Sequence, residues 1–251
     1  MRLEKLAPPA LLLCLALTAV AQPPTDGMYS RLNTFSSFVE YSNDSSHIIL
    51  GSARNRKIGA IGFQYQRRLL NRRLWNFSYT AEMRPGMLES DPVLTETITS
   101  SQTYSSTTSE TQNGAVMRCT ALTVQFSGSV PGPSGPQPYS GEVIDTCSRR
   151  TVTVQGFSPA GMRFNLMPRR RLQLTFSSYS GYMFSTQDVP AEGTGSFNYT
   201  FEFGAGLEFF RTHNRSVRLE YQVQHYSNKN TAYSNPGVDS GFIKLTYAFG
   251  H

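Results

Sequence analysis

A chain of 251 residues with 39% hydrophobic content and a net charge of +6 suits one barrel or sandwich of ordinary size and is too short for several catalytic domains. Past residue 21 no segment reaches the roughly eighteen consecutive apolar residues of a membrane-spanning helix, so the exported chain is either soluble or crosses a bilayer as strands. The positive charge fits solubility as well as contact with anionic lipid or phosphate, and nothing in the composition points to nucleic acid.

Met1 to Ala21 carry Arg2 and Lys5, then a mostly apolar run, then the small-x-small pattern of Ala19, Val20 and Ala21. This order reads as a secretory signal peptide over 1–21. Cys14 lies between Leu13 and Leu15, with no small residue before it, which disfavours a lipoprotein anchor. Loss of Arg2, Lys5 and Glu4 leaves 21 basic and 16 acidic residues, a net +5. Cys119 and Cys147 remain, and an even pair in an exported chain reads as one disulfide. No second Cys or His stands at ligand spacing beside either, so no metal is expected.

Residues 22–251 read as one all-β domain. Phe35, Val39 and Tyr41 share a face opposite Glu40, and 43–56 is polar and loop-like. Ile61, Phe63 and Tyr65 alternate with small or polar residues. After a basic turn near Asn71, so do Trp75, Phe77, Tyr79, Ala81 and Met83. Between residues 84 and 155 the alternation lapses: Thr95 to Asn113 holds twelve Ser or Thr in nineteen residues, and the run Pro131 to Pro136 is unsuited to a ladder strand. This segment reads as a long extracellular loop insertion containing the cysteine pair, with Ala121 to Phe126 and Thr151 to Gln155 able to extend neighbouring strands. Alternation resumes at Phe157 and continues through Met162, Phe164 and Leu166, then Leu172 to Phe184, then Phe201 to Phe209.

The count is eight strands, with short connections near Asn71, Pro168 and His213 and longer ones near Ser45, Thr107, Pro190 and Lys229. That alternation of loop length predicts an eight-stranded antiparallel transmembrane β-barrel with its longer loops outside. A soluble lipocalin-like carrier would show the same period with its apolar face inward. Aromatic residues near strand ends, among them Trp75, Tyr182, Phe184, Phe209, Tyr247 and Phe249, favour the membrane arrangement. The opposite face, with Glu40, Glu82, Arg163, Glu202, Glu208, Arg218 and Glu220, must then pair its charges inside.

The last hairpin carries the chemistry. Val217, Leu219, Tyr221 and Val223 share one face of a strand, and the same parity places His225 and Ser227 on it. In the following strand Ile243, Leu245, Tyr247 and Phe249 set a register that includes Asp239. A base, a hydroxyl and an acid therefore converge at one end of a two-stranded unit, the three roles of a nucleophilic triad.

The pattern His225, Tyr226, Ser227, Asn228, then Asn235, Pro236, Gly237 and an acid at Asp239 resembles the outer-membrane lipid A 3-O-deacylases of PagL type. The resemblance implies an eight-stranded barrel in the bacterial outer membrane and lipid A of the outer leaflet as substrate. His225 would be the base, Ser227 the nucleophile and Asp239 the acid, where the best known members carry the longer Glu. Asn228, Asn235 or backbone amides near Gly237 would hold the oxyanion, and no cofactor is needed. Oligomeric state is open, a homodimer included. The competing reading is a non-enzymatic outer-membrane barrel with a structural or surface-binding role.

Overall fold

The computed structural model describes residues 27–45, 48–102, 105–132 and 134–251, so the leader expected over 1–21 and His47 lie outside the described residues. Ten strands form one antiparallel sheet. They are β1 Asn33–Ser42, β2 Lys57–Asn71, β3 Trp75–Gln102, β4 Ser105–Ala115, β5 Leu122–Gly132, β6 Gly135–Leu166, β7 Leu172–Ser185, β8 Phe197–Thr212, β9 Arg215–Ser227 and β10 Val238–Gly250. Eight of them close a ring, because β1 pairs with β10 and β3 with β6; β4 and β5 stand outside it. Closure matters physically, since a ring leaves no unpaired edge in hydrocarbon.

Burial alternates along β1 and β10 with a period of two, and apart from Phe38, Val238, Phe242 and Ala248 it is the apolar residues that face out. Phe63 and Ile243 are 59% and 63% exposed, while Glu82, Arg163 and Lys244 are at most 1% exposed. An apolar exterior around a charged interior is the reverse of a soluble barrel, and it makes this one a transmembrane barrel. The interior charges are paired. Arg84 bridges Glu40 and Glu202 at 2.6 Å each, Lys244 meets Glu82 at 2.5 Å, and Glu220 lies 2.9 Å from Arg163 and 2.7 Å from Arg218. Arg31, ahead of β1, enters the same interior and donates to Glu208 at 2.8 Å.

The segment expected as a loop insertion is mostly strand. β3 and β6 continue past the ring while still paired with each other, out to Gln102 and Tyr139, and β4 and β5 add to their free sides. The resulting four-stranded extension, in the order β4, β3, β6, β5, rises from the end of the barrel that bears the long loops. A Cys119–Cys147 disulfide, Cα atoms 5.9 Å apart, ties the β4–β5 connection to β6. Pro131 and Pro136, at either end of the run expected to be unsuited to a ladder, do join strands and are register partners. They are tolerated because β6 pairs only with β5 beyond Tyr139, so a missing N–H removes no interior ladder bond. Pro85 and Pro159 fall at the register shifts Arg84/Met87 and Phe157/Ala160, the positions at which a bulge admits proline.

Inside the barrel at the long-loop end, a cluster that includes Ala53, Ile58, Met87, Val154, Met183, Tyr226, Val238 and Phe242 is fully buried. It forms an apolar plug directly behind the last hairpin. Arg56 sits at its edge and donates to the carbonyls of Met117 at 2.5 Å, Val116 at 2.7 Å and Pro190 at 2.8 Å, joining the β1–β2, β4–β5 and β7–β8 connections through one guanidinium.

Candidate active site

Strand register decides which residues of the last hairpin can meet. Tyr226 is the partner of Val238, and both point inward into the plug; one step along, His225 is the partner of Asp239, and both point outward. The imidazole Nδ1 donates to Asp239 Oδ1 at 2.6 Å. An ionised carboxylate only accepts, so the proton of neutral His225 is on Nδ1 and the lone pair is on Nε2, turned away from the acid.

Asp239 faces outward yet is wholly buried, because the β1–β2 connection folds over it. Its second oxygen, Oδ2, accepts the backbone amides of Ile48, Ile49, Leu50 and Gly51 at 2.9, 2.5, 2.9 and 2.9 Å. Successive amides aimed at one point form an anion-binding nest. Gly51 permits the approach, since a Cβ there would meet the Asp239 amide nitrogen at 2.5 Å. On β10 the exposed apolar band runs from Ile243 to Phe249, and Asp239 lies beyond it. Burial there pushes the carboxyl up, but the His225 hydrogen bond and the Ile49 and Gly51 amides outweigh it and hold Asp239 below the usual carboxylate range.

Ser227 is half-buried, two residues beyond His225 on the same outward face, and is the register partner of Tyr199 on β8. Among the described residues its hydroxyl and the imidazole are not hydrogen-bonded to each other. Such contacts often tighten only when substrate arrives. Gly237, at φ 60°, packs against the ring, and a Cβ on it would lie 3.1 Å from His225 Cε1.

The two asparagines are placed differently from each other. Asn228 is buried, and its Nδ2 donates to the carbonyls of Thr194 and Ser234, both at 2.6 Å, while its Oδ1 accepts the Asn230 amide at 2.8 Å. With both amide hydrogens committed, Asn228 organises the β9–β10 connection. Asn235 Oδ1 accepts the Asn228 amide at 3.1 Å, which orients the side chain and leaves its Nδ2 hydrogens without an acceptor among the described residues.

The sequence pattern missed the Ile48 to Gly51 nest, which lies in a segment read as polar loop. Its one signal was the apolar run Ile48, Ile49, Leu50 ending in glycine. Lys229 was missed too: its ammonium lies 4.4 Å from the centroid of Tyr199, beside Ser227.

A closed barrel that is apolar outside is a membrane β-barrel, and this one bears on one rim an imidazole bound to an acid, with a serine two residues further on. Residues 121–249, just over half of the chain, match the model of the lipid A 3-O-deacylase (PagL) family, and the chain belongs to that family. It is therefore an outer-membrane lipid A deacylase. No curated protein matches it in sequence. Among solved structures it is similar to Neisserial surface protein A (NspA), at 10% identity over 87% of this chain and 97% of that one, with a TM-score of 0.41. It is also similar to LpxR from Salmonella typhimurium, at 7% identity over 87% and 100% of the two chains, with a TM-score of 0.25.

Proposed function

We propose that this deacylase removes the acyl chain at the 3-O position of lipid A by a serine mechanism, with Ser227 as nucleophile, His225 as base and Asp239 as orienting acid. The observation that carries the reading is the 2.6 Å His225–Asp239 bond, made by an acid that four backbone amides hold in place. Ser227 Oγ attacks the ester carbonyl carbon while its proton passes to His225 Nε2. The tetrahedral oxyanion takes donors from Asn235 Nδ2 and the backbone near Gly237. Collapse expels the sugar oxygen, which takes the proton back from His225. Water, deprotonated by the same nitrogen, then cleaves the acyl-serine and releases the fatty acid.

The site faces the outer leaflet in this reading. Support comes from the turns at the opposite end, where β2 to β3, β6 to β7 and β8 to β9 are joined by only a few residues, the form of periplasmic turns. The Lys229 ammonium at the same rim suits a phosphorylated sugar headgroup.

The test is mass spectrometry of lipid A from an outer-membrane host expressing the parent chain or Ser227→Ala, with folding of both checked by heat-modifiable gel mobility. Loss of one 3-linked hydroxyacyl group with the parent alone is the expected result. Deacylation by both would remove Ser227 from the mechanism, and loss of a different acyl group would overturn the positional assignment.

A further inference from the structure

The four residues that hold Asp239 do so with backbone amides, and two of them, Ile48 and Leu50, turn their side chains to the surface. Ile48 is 44% exposed and Leu50 is 73% exposed, in a connection that is mostly polar. With amide nitrogens 2.9 Å from Asp239 Oδ2, their Cα atoms lie within about 4.4 Å of that oxygen, one N–Cα bond further on. The loop also approaches the imidazole: a Cβ built on Gly237 would meet both His225 Cε1, at 3.1 Å, and Gly51 Cα, at 3.6 Å. Two exposed aliphatic side chains thus stand on the loop that holds the acid, and that loop cannot shift without releasing it. The loop is anchored at its far end as well, where Ser52 and Ala53 donate backbone amides to Pro236 and Gly237 at 2.9 and 3.2 Å. Isolated exposed apolar residues are ordinary on a protein surface; a pair locked to a triad acid at the edge of a lipid-facing band is placed for a hydrocarbon ligand.

We infer that Ile48 and Leu50 form the contact for the acyl chain of the ester under attack, so that the β1–β2 connection determines acyl-chain preference with its side chains while positioning the acid with its backbone. This rests on the serine-esterase reading above. A chain lying against Ile48 and Leu50 places its carbonyl end next to His225 and Ser227. Contact is worth more for a long chain than for a short one, because the gain grows with the apolar area removed from water.

The experiment uses alkyl fluorophosphonates on the detergent-folded barrel: the serine oxygen bonds to phosphorus, fluoride leaves, and the proton passes to His225. Labelling rates for an ethyl and a dodecyl probe are compared in the same detergent, so that micelle partitioning cancels between variants. For the double variant Ile48→Ser and Leu50→Ser we expect the dodecyl-to-ethyl ratio of labelling rates to fall about tenfold from the parent's, the scale of one lost apolar contact; the ethyl rate measured on the same variant absorbs any disturbance of the nest. Gly51→Ala, which displaces the nest, is expected to slow both probes alike. An unchanged dodecyl preference in the double variant, or equal slowing of both probes, would overturn the assignment. A parent chain labelled no faster than Ser227→Ala by either probe would instead remove the serine reading and this inference with it.

Discussion

His225 and Asp239 are fourteen residues apart in the chain and direct partners across the β9–β10 ladder, their side chains 2.6 Å apart on the barrel's outer face. The contact is set by strand pairing rather than by a flexible loop, so the acid's orientation is as rigid as the sheet.

Asp239→Asn keeps the size of the side chain and removes the acceptor that fixes the imidazole tautomer. Deacylation is expected to fall by about 10³ to 10⁴ with heat-modifiable mobility unchanged. Asp239→Glu is also expected to lose activity, by about tenfold or more on the scale of overpacking a closed site, because four amides already meet the shorter carboxylate. Measurement of initial rates on purified lipid A separates the two; a fully active Glu variant would show that the nest yields to an extra methylene.

Asp239 has its pKa lowered in the fold, which sets a direction for pH dependence. An acid with a depressed folded pKa contributes stability that is present above its unfolded value and is lost as pH falls through the folded one. The β1–β2 connection should therefore stay closed through the ordinary carboxylate range and open only in stronger acid. Proteolysis of this loop after acid exposure, parent against Asp239→Asn, checks it: the parent's acid-triggered opening should be absent from the variant, whose loop is expected to be open already near neutral pH.

Gly237→Ala meets two obstacles, a backbone at φ 60° and a ring carbon 3.1 Å from the new Cβ. The left-handed conformation costs about 1–2 kcal/mol for a residue with a side chain, and the ring must shift. A decrease in kcat of about tenfold to a hundredfold is expected, with barrel stability reduced by no more than the backbone cost.

Arg84→Met leaves Glu40, Glu82 and Glu202 facing one another without the guanidinium that lies 2.6 to 3.2 Å from each. Removing one partner of a buried ion network costs about 3–5 kcal/mol. The unfolding midpoint in urea, followed by gel mobility, should drop accordingly. Arg56→Met should differ: the ring persists, but the three connections that its guanidinium joins become protease-sensitive.

Much of the fold is written as parity. Alternating residues such as Phe35 to Tyr41 and Ile243 to Phe249 specify strands with two faces, and it is the aromatic residues near the strand ends, rather than the period, that favour an interior place for charges such as Glu82, Arg163 and Glu220 on the opposite face. The same parity brings His225 and Asp239 together, because a ladder preserves sidedness. Parity fails where neither face is buried. β4 and the distal parts of β3 and β6 have polar residues at odd and even positions alike, so their strand character has no periodic signature and reads as loop. It also fails for contacts made by backbone. The nest joins Asp239 to residues 188 to 191 positions away through amides that every residue but proline possesses, and only the apolar run ending in Gly51 marks it in the sequence. Asn228 lay next to the serine and invited a role in oxyanion binding, but its hydrogen bonds within the β9–β10 connection take both its donors.

The four-stranded extension has a further consequence. From Arg150, near the top of the ring, β6 runs without interruption to Gly135, fifteen steps at about 3.4 Å each, or on the order of 50 Å along the strand. With the long-loop end outward, this is a rigid mast rooted in the same two strands that close the barrel and braced at its foot by a disulfide. Its far end, at Pro131 and Pro136, would stand clear of the lipid headgroups and would be the first part of the protein to meet a molecule approaching the cell.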